Sequence, residues 1–135
     1  MDKYLLKLIE KTQTAIPTTA DDISVLSSLW NPGVDVDVYQ NTAKGGNVAF
    51  NFGVHMDRDK NMVAQVQLCF YRRNRFGRST LAYASDEKSL EHVIAMTEFS
   101  HLKTKPVIAL LNIVIAFNKK GFAVHKDETG FTLKI

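Results

Sequence analysis

An α+β fold is predicted, in which helices pack on one face of an antiparallel four-stranded meander and a C-terminal β-hairpin ends the chain. Three observations predict it. Apolar residues recur at helical spacing before Asn31 and after Ser85, and they alternate strictly in between. The connections between the alternating runs are too short for anything but antiparallel neighbours. The length, 135 residues, suits one domain spanning residues 1–135, able to bury about two thirds of its unfolded surface.

Tyr4, Leu5, Leu8, Ile9, Thr12 and Ile16 share one side of a helix over residues 2–15, which Pro17 stops. Thr19 followed by Asp22 resembles a capping box for a second helix through Trp30, with Ile23, Leu26 and Trp30 inward. Asn31-Pro32-Gly33 then turns the chain. Val34, Val36 and Val38 line the first strand, and Val48, Phe50, Phe52 and Val54 the second, across a turn near Lys44-Gly45-Gly46. After Asp57–Asn61, Met62, Ala64, Val66, Leu68 and Phe70 line the third strand, and Ser79, Leu81 and Tyr83 the fourth. Ser85, ahead of Asp86 and Glu87, caps a helix expected to run to about Leu102, with Leu90, Val93, Ile94 and Thr97 inward. Pro106 opens a last, almost wholly apolar helix that Gly121 ends. Phe122–Lys126 and Phe131–Ile135 form the closing hairpin around Asp127-Glu128-Thr129-Gly130.

Cys69 is the single cysteine, so no intramolecular disulfide forms, and a reducing, cytoplasmic location is expected. The apolar run Val107–Phe117 is too short for the roughly 20 residues of a membrane span, and no secretory leader is visible, so no membrane association is expected. Net charge is +3 but uneven: residues 1–57 hold four Lys/Arg against seven Asp/Glu, and residues 58–135 hold thirteen against seven. Such a division steers a protein toward an anionic partner or lets two copies meet.

Four of the five arginines lie in one stretch, Phe70-Tyr71-Arg72-Arg73-Asn74-Arg75-Phe76-Gly77-Arg78, between the third and fourth strands. Burying unpartnered guanidinium groups is costly, so this stretch is expected to project into solvent as a hairpin connection. Arg72, Arg73, Arg75 and Arg78 suit bidentate phosphate contacts, and Tyr71 and Phe76 offer rings on which bases stack. The bland reading of the same residues is a solvated hairpin tip that blunts an edge. No RNA-recognition or KH signature accompanies them.

Residues of the opposite sheet face form a second candidate surface. Asp35, Asp37 and Tyr39, then Asn51, Gly53 and His55, then Gln65, Gln67, Cys69 and Tyr71, and then Thr80 and Ala82 are expected there. Beyond the first strand this face is polar but nearly uncharged, a composition suited to docking or self-association, or to a face covered by the N-terminal helices. Asp35, Asp37, Tyr39, Asn51, Gln65 and Gln67 are the partner-interface candidates. Asp35 and Asp37 project together, about 7 Å apart, as a solvated acidic edge or a site for the arginines of a second copy. No third ligand at recognisable spacing accompanies them, so no metal site is assigned.

The four histidines form no motif, Cys69 has no nucleophile signature, and no P-loop, dinucleotide fingerprint or hydrolase motif occurs. No catalytic residue and no cofactor is assigned. The expectation is a non-enzymatic binding protein whose basic, aromatic hairpin engages nucleic acid or an acidic protein. The alternative is a protein–protein interaction module, of the small-inhibitor or immunity type, that self-assembles or binds another protein through its neutral sheet face. A homo-oligomer is expected.

Overall fold

Alternation of side chains along four extended segments dictates the sheet, and its large apolar half, Phe50, Phe52, Val66, Leu68 and Phe70, dictates that something must cover one face. The computed structural model describes residues 20–40, 46–96, 99, 102 and 104–134. The expected helix over residues 2–15, the Thr19 cap, the turn residues Lys44 and Gly45, Thr97 and Ile135 lie outside the described residues.

The described elements run α1 (Ala20–Leu29), β1 (Asp35–Tyr39), β2 (Gly46–Met56), β3 (Met62–Asn74), β4 (Gly77–Ala84), α2 (Glu87–Ile94), α3 (Thr104–Lys120), β5 (Val124–Asp127) and β6 (Gly130–Leu133). The first four strands form an antiparallel sheet in the order β1-β2-β3-β4, and β5 and β6 form a separate two-stranded sheet. The predicted α+β class, meander and closing hairpin are all present. Pro32 and Gly33, the latter at φ 83°, make the turn into β1, closed by the Val34 amide donating to the Asn31 carbonyl at 3.1 Å.

One core joins the inner sheet face to the helices. Leu26 and Trp30 from α1 and its C-terminal flank, Leu90 and Val93 from α2, and Val107, Leu110, Val114 and Phe117 from α3 pack with Phe50, Phe52, Leu68 and Phe70. Burying each such side chain contributes about 1.5–3 kcal/mol. Helix α3 packs against β3, α2 against β4, and α1 against α3.

Helix α2 is shorter than predicted, and its cap is one residue later. Asp86, not Ser85, accepts the Ser89 amide at 2.7 Å, and the Ser89 hydroxyl accepts the Asp86 amide at 3.3 Å. The Asp86 carboxyl lies below its ordinary value because these Ser89 donors hold its charged form. The helix ends at Ile94, and Phe99 and Leu102 are buried beyond it.

Two bulges shift the alternation. Asp37 pairs with Ala49 but Tyr39 pairs with Val48, so Val38 is the extra residue, and Tyr39 packs against the core instead of joining Asp35 and Asp37. Phe70 pairs with Ala82 and Tyr71 with Thr80, so Leu81 is extra in β4. Ala82 thereby moves to the helix side and Tyr83 to the outer face, the reverse of a strict period-two reading.

Strand β3 outruns β4. Its pairing with β4 starts only at Leu68, opposite Ala84. The segment after α3 supplies the missing partners: the Ala64 amide donates to the Phe122 carbonyl at 2.9 Å, and Val63 bridges Ala123. Between these, Asn118 of α3 acts as a one-residue strand, accepting the Val66 amide at 2.9 Å and donating to the Val66 carbonyl at 2.8 Å. Replacing Asn118 by Ala leaves both Val66 groups without these partners and is expected to cost about 1–3 kcal/mol. The check is the urea unfolding midpoint. A stability equal to wild type would mean that water serves Val66 as well.

Candidate functional site

Register decides where the arginines go. Gly46 pairs with Arg72, and beyond Arg72 the pairing among the described residues is that of a two-stranded ribbon of β3 and β4. Arg72 pairs with Ser79, Arg73 with Arg78, and Asn74 with Gly77, leaving Arg75 and Phe76 as the two turn residues. The arginine-rich stretch is therefore mostly strand, with a minimal turn. Asn74 Oδ1 accepts the Phe76 amide at 2.8 Å, and Gly77 takes φ 124°, a conformation that disfavours any side chain.

Alternation along the ribbon divides the charges. Arg73 and Arg78 share the outer face with Tyr71 and Thr80, and Arg72 falls on the other face with Ser79. The outer pair meets the two carboxylates of β1. Arg78 Nη2 lies 2.8 Å from Asp35 Oδ2, Arg78 Nη1 lies 3.9 Å from Asp37 Oδ1, and Arg73 Nη2 lies 3.1 Å from Asp37 Oδ2. The Arg78 guanidinium also stacks 3.6 Å from the Tyr71 ring centroid, and its Nη2 reaches Cys69 Sγ at 3.4 Å.

Tyr71 is 0% exposed, and its hydroxyl donates to Asp37 Oδ1 at 2.5 Å. Together with Ala49 and Cys69 it makes a small buried cluster on the outer face. Burial pushes the Tyr71 phenol above its ordinary value, the Asp37 hydrogen bond pushes it further, and Arg73 opposes both. Arg73 itself lies above the ordinary guanidinium value, chiefly through Tyr71. A polar row completes the face: Gln67 Nε2 donates to Asn51 Oδ1 at 3.0 Å, and Asn51 Nδ2 donates to Asp35 Oδ1 at 2.7 Å. Gln40 donates to Asp37 at 3.1 Å. Gln65, opposite Gly53, makes no side-chain hydrogen bond among the described residues.

The expected sites thus separate and partly merge. Asp35, Asp37, Asn51 and Gln67 come together with Tyr71, Arg73 and Arg78 in one internal network, and Tyr39 lies apart from them. The acids engage the arginines of their own chain, an arrangement in which Tyr71 is a buried support for Asp37 and not an exposed stacking ring. Arg72 and Arg75 are exposed and form no ion pair among the described residues. Phe76 is 85% exposed, with the Arg75 guanidinium carbon 4.8 Å from its ring centroid.

Asp35 and Asp37 already accept from Asn51, Arg78, Tyr71, Arg73 and Gln40, so their oxygens serve the fold. No group of three or more His, Cys, Asp or Glu side chains placed to hold a metal occurs among the described residues. No described helix is long and apolar enough to cross a membrane. Compared with protein-family models, curated proteins and solved structures, the chain matches none.

Three outcomes follow from this division of the side chains. The Arg78 side chain is 29% exposed and its acids 24% and 25%, so Arg78→Ala is expected to cost about 1–2 kcal/mol, less than for a fully buried pair. Arg72→Ala and Arg75→Ala are expected to stay within about 0.5 kcal/mol of wild type in the same denaturant titration. Because the folded Tyr71 phenol holds its proton more tightly than the unfolded one, its contribution is complete below the ordinary value of 10.0 and is lost as pH rises through the folded value. Wild type minus Tyr71→Phe stability, measured by urea unfolding, should therefore fall with pH above that point. A pH-independent difference would contradict the assignment.

Proposed function

We propose that this is a non-enzymatic binding protein whose β3–β4 hairpin engages an anionic partner, with nucleic acid as the class that fits it. The observation that carries the reading is the tip itself. An aromatic ring 85% exposed, flanked by guanidinium groups without an ion pair among the described residues, combines a stacking surface with phosphate-binding forks. The Asn74 and Gly77 turn holds Phe76 outward, where its ring is free to stack on a base.

Arg72, Arg75 and Phe76 make the contacts. Arg73, with 58% of its side chain exposed, adds a third charge while remaining paired to Asp37, and Arg78 is committed to the fold. Two to three neutralised phosphates give a log K against log salt slope of about −1.5 to −2.5. Fluorescence anisotropy with a labelled oligonucleotide at several salt concentrations is the measurement. Arg72→Ala with Arg75→Ala should flatten the slope and abolish most binding at unchanged stability. Salt-independent binding would reject the mechanism.

The alternative is an interaction module acting through the outer face. Asp35, Asp37, Arg73 and Arg78 sum to zero charge there, and Tyr83, 47% exposed, lies opposite Cys69 in the register. This reading requires an oligomer or a stable complex with another protein. A mass of one chain by light scattering, unchanged at high concentration, would exclude self-assembly.

A further inference from the structure

We infer that the hairpin takes single-stranded rather than duplex nucleic acid, an inference that rests on the anion-binding reading above. Three observations point the same way. The positive groups are distributed around the end of the ribbon: Arg72 lies on one face, Arg73 on the other, and Arg75 on the turn between them. They do not form a stripe along one side. The outer face, where a rigid rod would lie flat, carries Asp35 and Asp37 beside Arg73 and Arg78, a four-residue group without net charge. The ring of Phe76 has Arg75 4.8 Å from its centroid on one side and is otherwise open to solvent.

A duplex cannot use this arrangement well. It is stiff over about 150 base pairs, so it touches a ribbon end from one direction only, and its bases are stacked on each other with only their edges in the grooves. The tip would find one or two phosphates and no flat partner for Phe76. A single strand bends within a few nucleotides, so consecutive phosphates can pass from Arg72 over Arg75 toward Arg73. An unpaired base between them can then lie on the open face of Phe76, giving a sandwich of guanidinium, ring and base. Both DNA and RNA single strands present this chemistry, since phosphate and base face are common to the two.

The test uses the full chain and four probes at low salt: a labelled mixed-sequence DNA oligonucleotide, the RNA of the same sequence, and each annealed to its complement. At least one single strand should bind about tenfold more tightly than its own duplex, the effect expected of one stacked base. Phe76→Ala should remove most of that preference, and Phe76→Trp should retain it. Phe76 is too exposed for either change to disturb folding, which an unchanged unfolding midpoint verifies. Duplex bound as tightly as single strand, or a preference that survives Phe76→Ala, would overturn the inference while leaving the anion-binding reading in place. Binding to none of the four probes would overturn the nucleic-acid reading and this inference with it.

Discussion

Strand β3 is longer than the partner on one of its sides, and the backbone groups along its uncovered edge constrain the rest of the molecule. From Met62 to Arg72 it is paired with β2, but β4 reaches only as far as Leu68. A buried amide or carbonyl without a partner costs about 1–3 kcal/mol, so residues 63–66 demand something beside them. They obtain Ala123, the Phe122 carbonyl and both ends of the Asn118 side-chain amide. That requirement fixes the C-terminal end of α3 against the sheet. It thereby places Phe117, Val114 and Leu110 over the apolar face, with the chain leaving at Gly121, φ 64°, toward β5. Edge satisfaction and core formation are one event.

The same economy governs the outer strands. Each edge strand carries a bulge, at Val38 in β1 and Leu81 in β4, which interrupts the regular ladder a further strand would need. The bulge in β1 ends the acidic face after Asp37 by sending Tyr39 to the core. Arg78 closes the face from the opposite edge, lying over Tyr71 and reaching Asp35. The ionic layer thus spans the sheet from β4 to β1. It covers polar and aromatic groups that would otherwise face water, and it takes the Arg78 guanidinium out of the pool available to a partner while tethering the more exposed Arg73 to Asp37.

Much of this fold is legible in the sequence, because periodicity reports which face a side chain occupies. The alternation from Val48 to Val54 and from Met62 to Phe70, the Pro-Gly turn at Pro32 and Gly33, and the helix stop at Gly121 all appear where the residues predict them. Bulges are a different matter. One extra residue has no compositional mark when it is Val or Leu, so strict alternation assigns Tyr39, Ala82 and Tyr83 to the wrong faces. The ion pairs join residues some 36 or more positions apart and depend on strand order, which a run of charges does not reveal. Asn118 is equally hidden, since an amide near a helix end looks like an ordinary polar position until the unpaired edge opposite it is known. The candidate site is half visible. The clustering of arginines with Phe76 is evident, but which of them the fold claims is not.

The ribbon beyond Arg72 is short, only the Arg73–Arg78 and Asn74–Gly77 pairs and a two-residue turn. It is braced at its root by Asp35 and Asp37 and at its end by the Asn74 side chain. A stub so constrained has little backbone disorder to surrender when something docks on it. The backbone share of the ordering cost is thereby met during folding, whereas the exposed Arg72 and Arg75 side chains would still give up roughly 0.5–1.5 kcal/mol each when immobilised. Encounters at this tip should therefore be limited by diffusion and charge attraction, not by rearrangement of the protein.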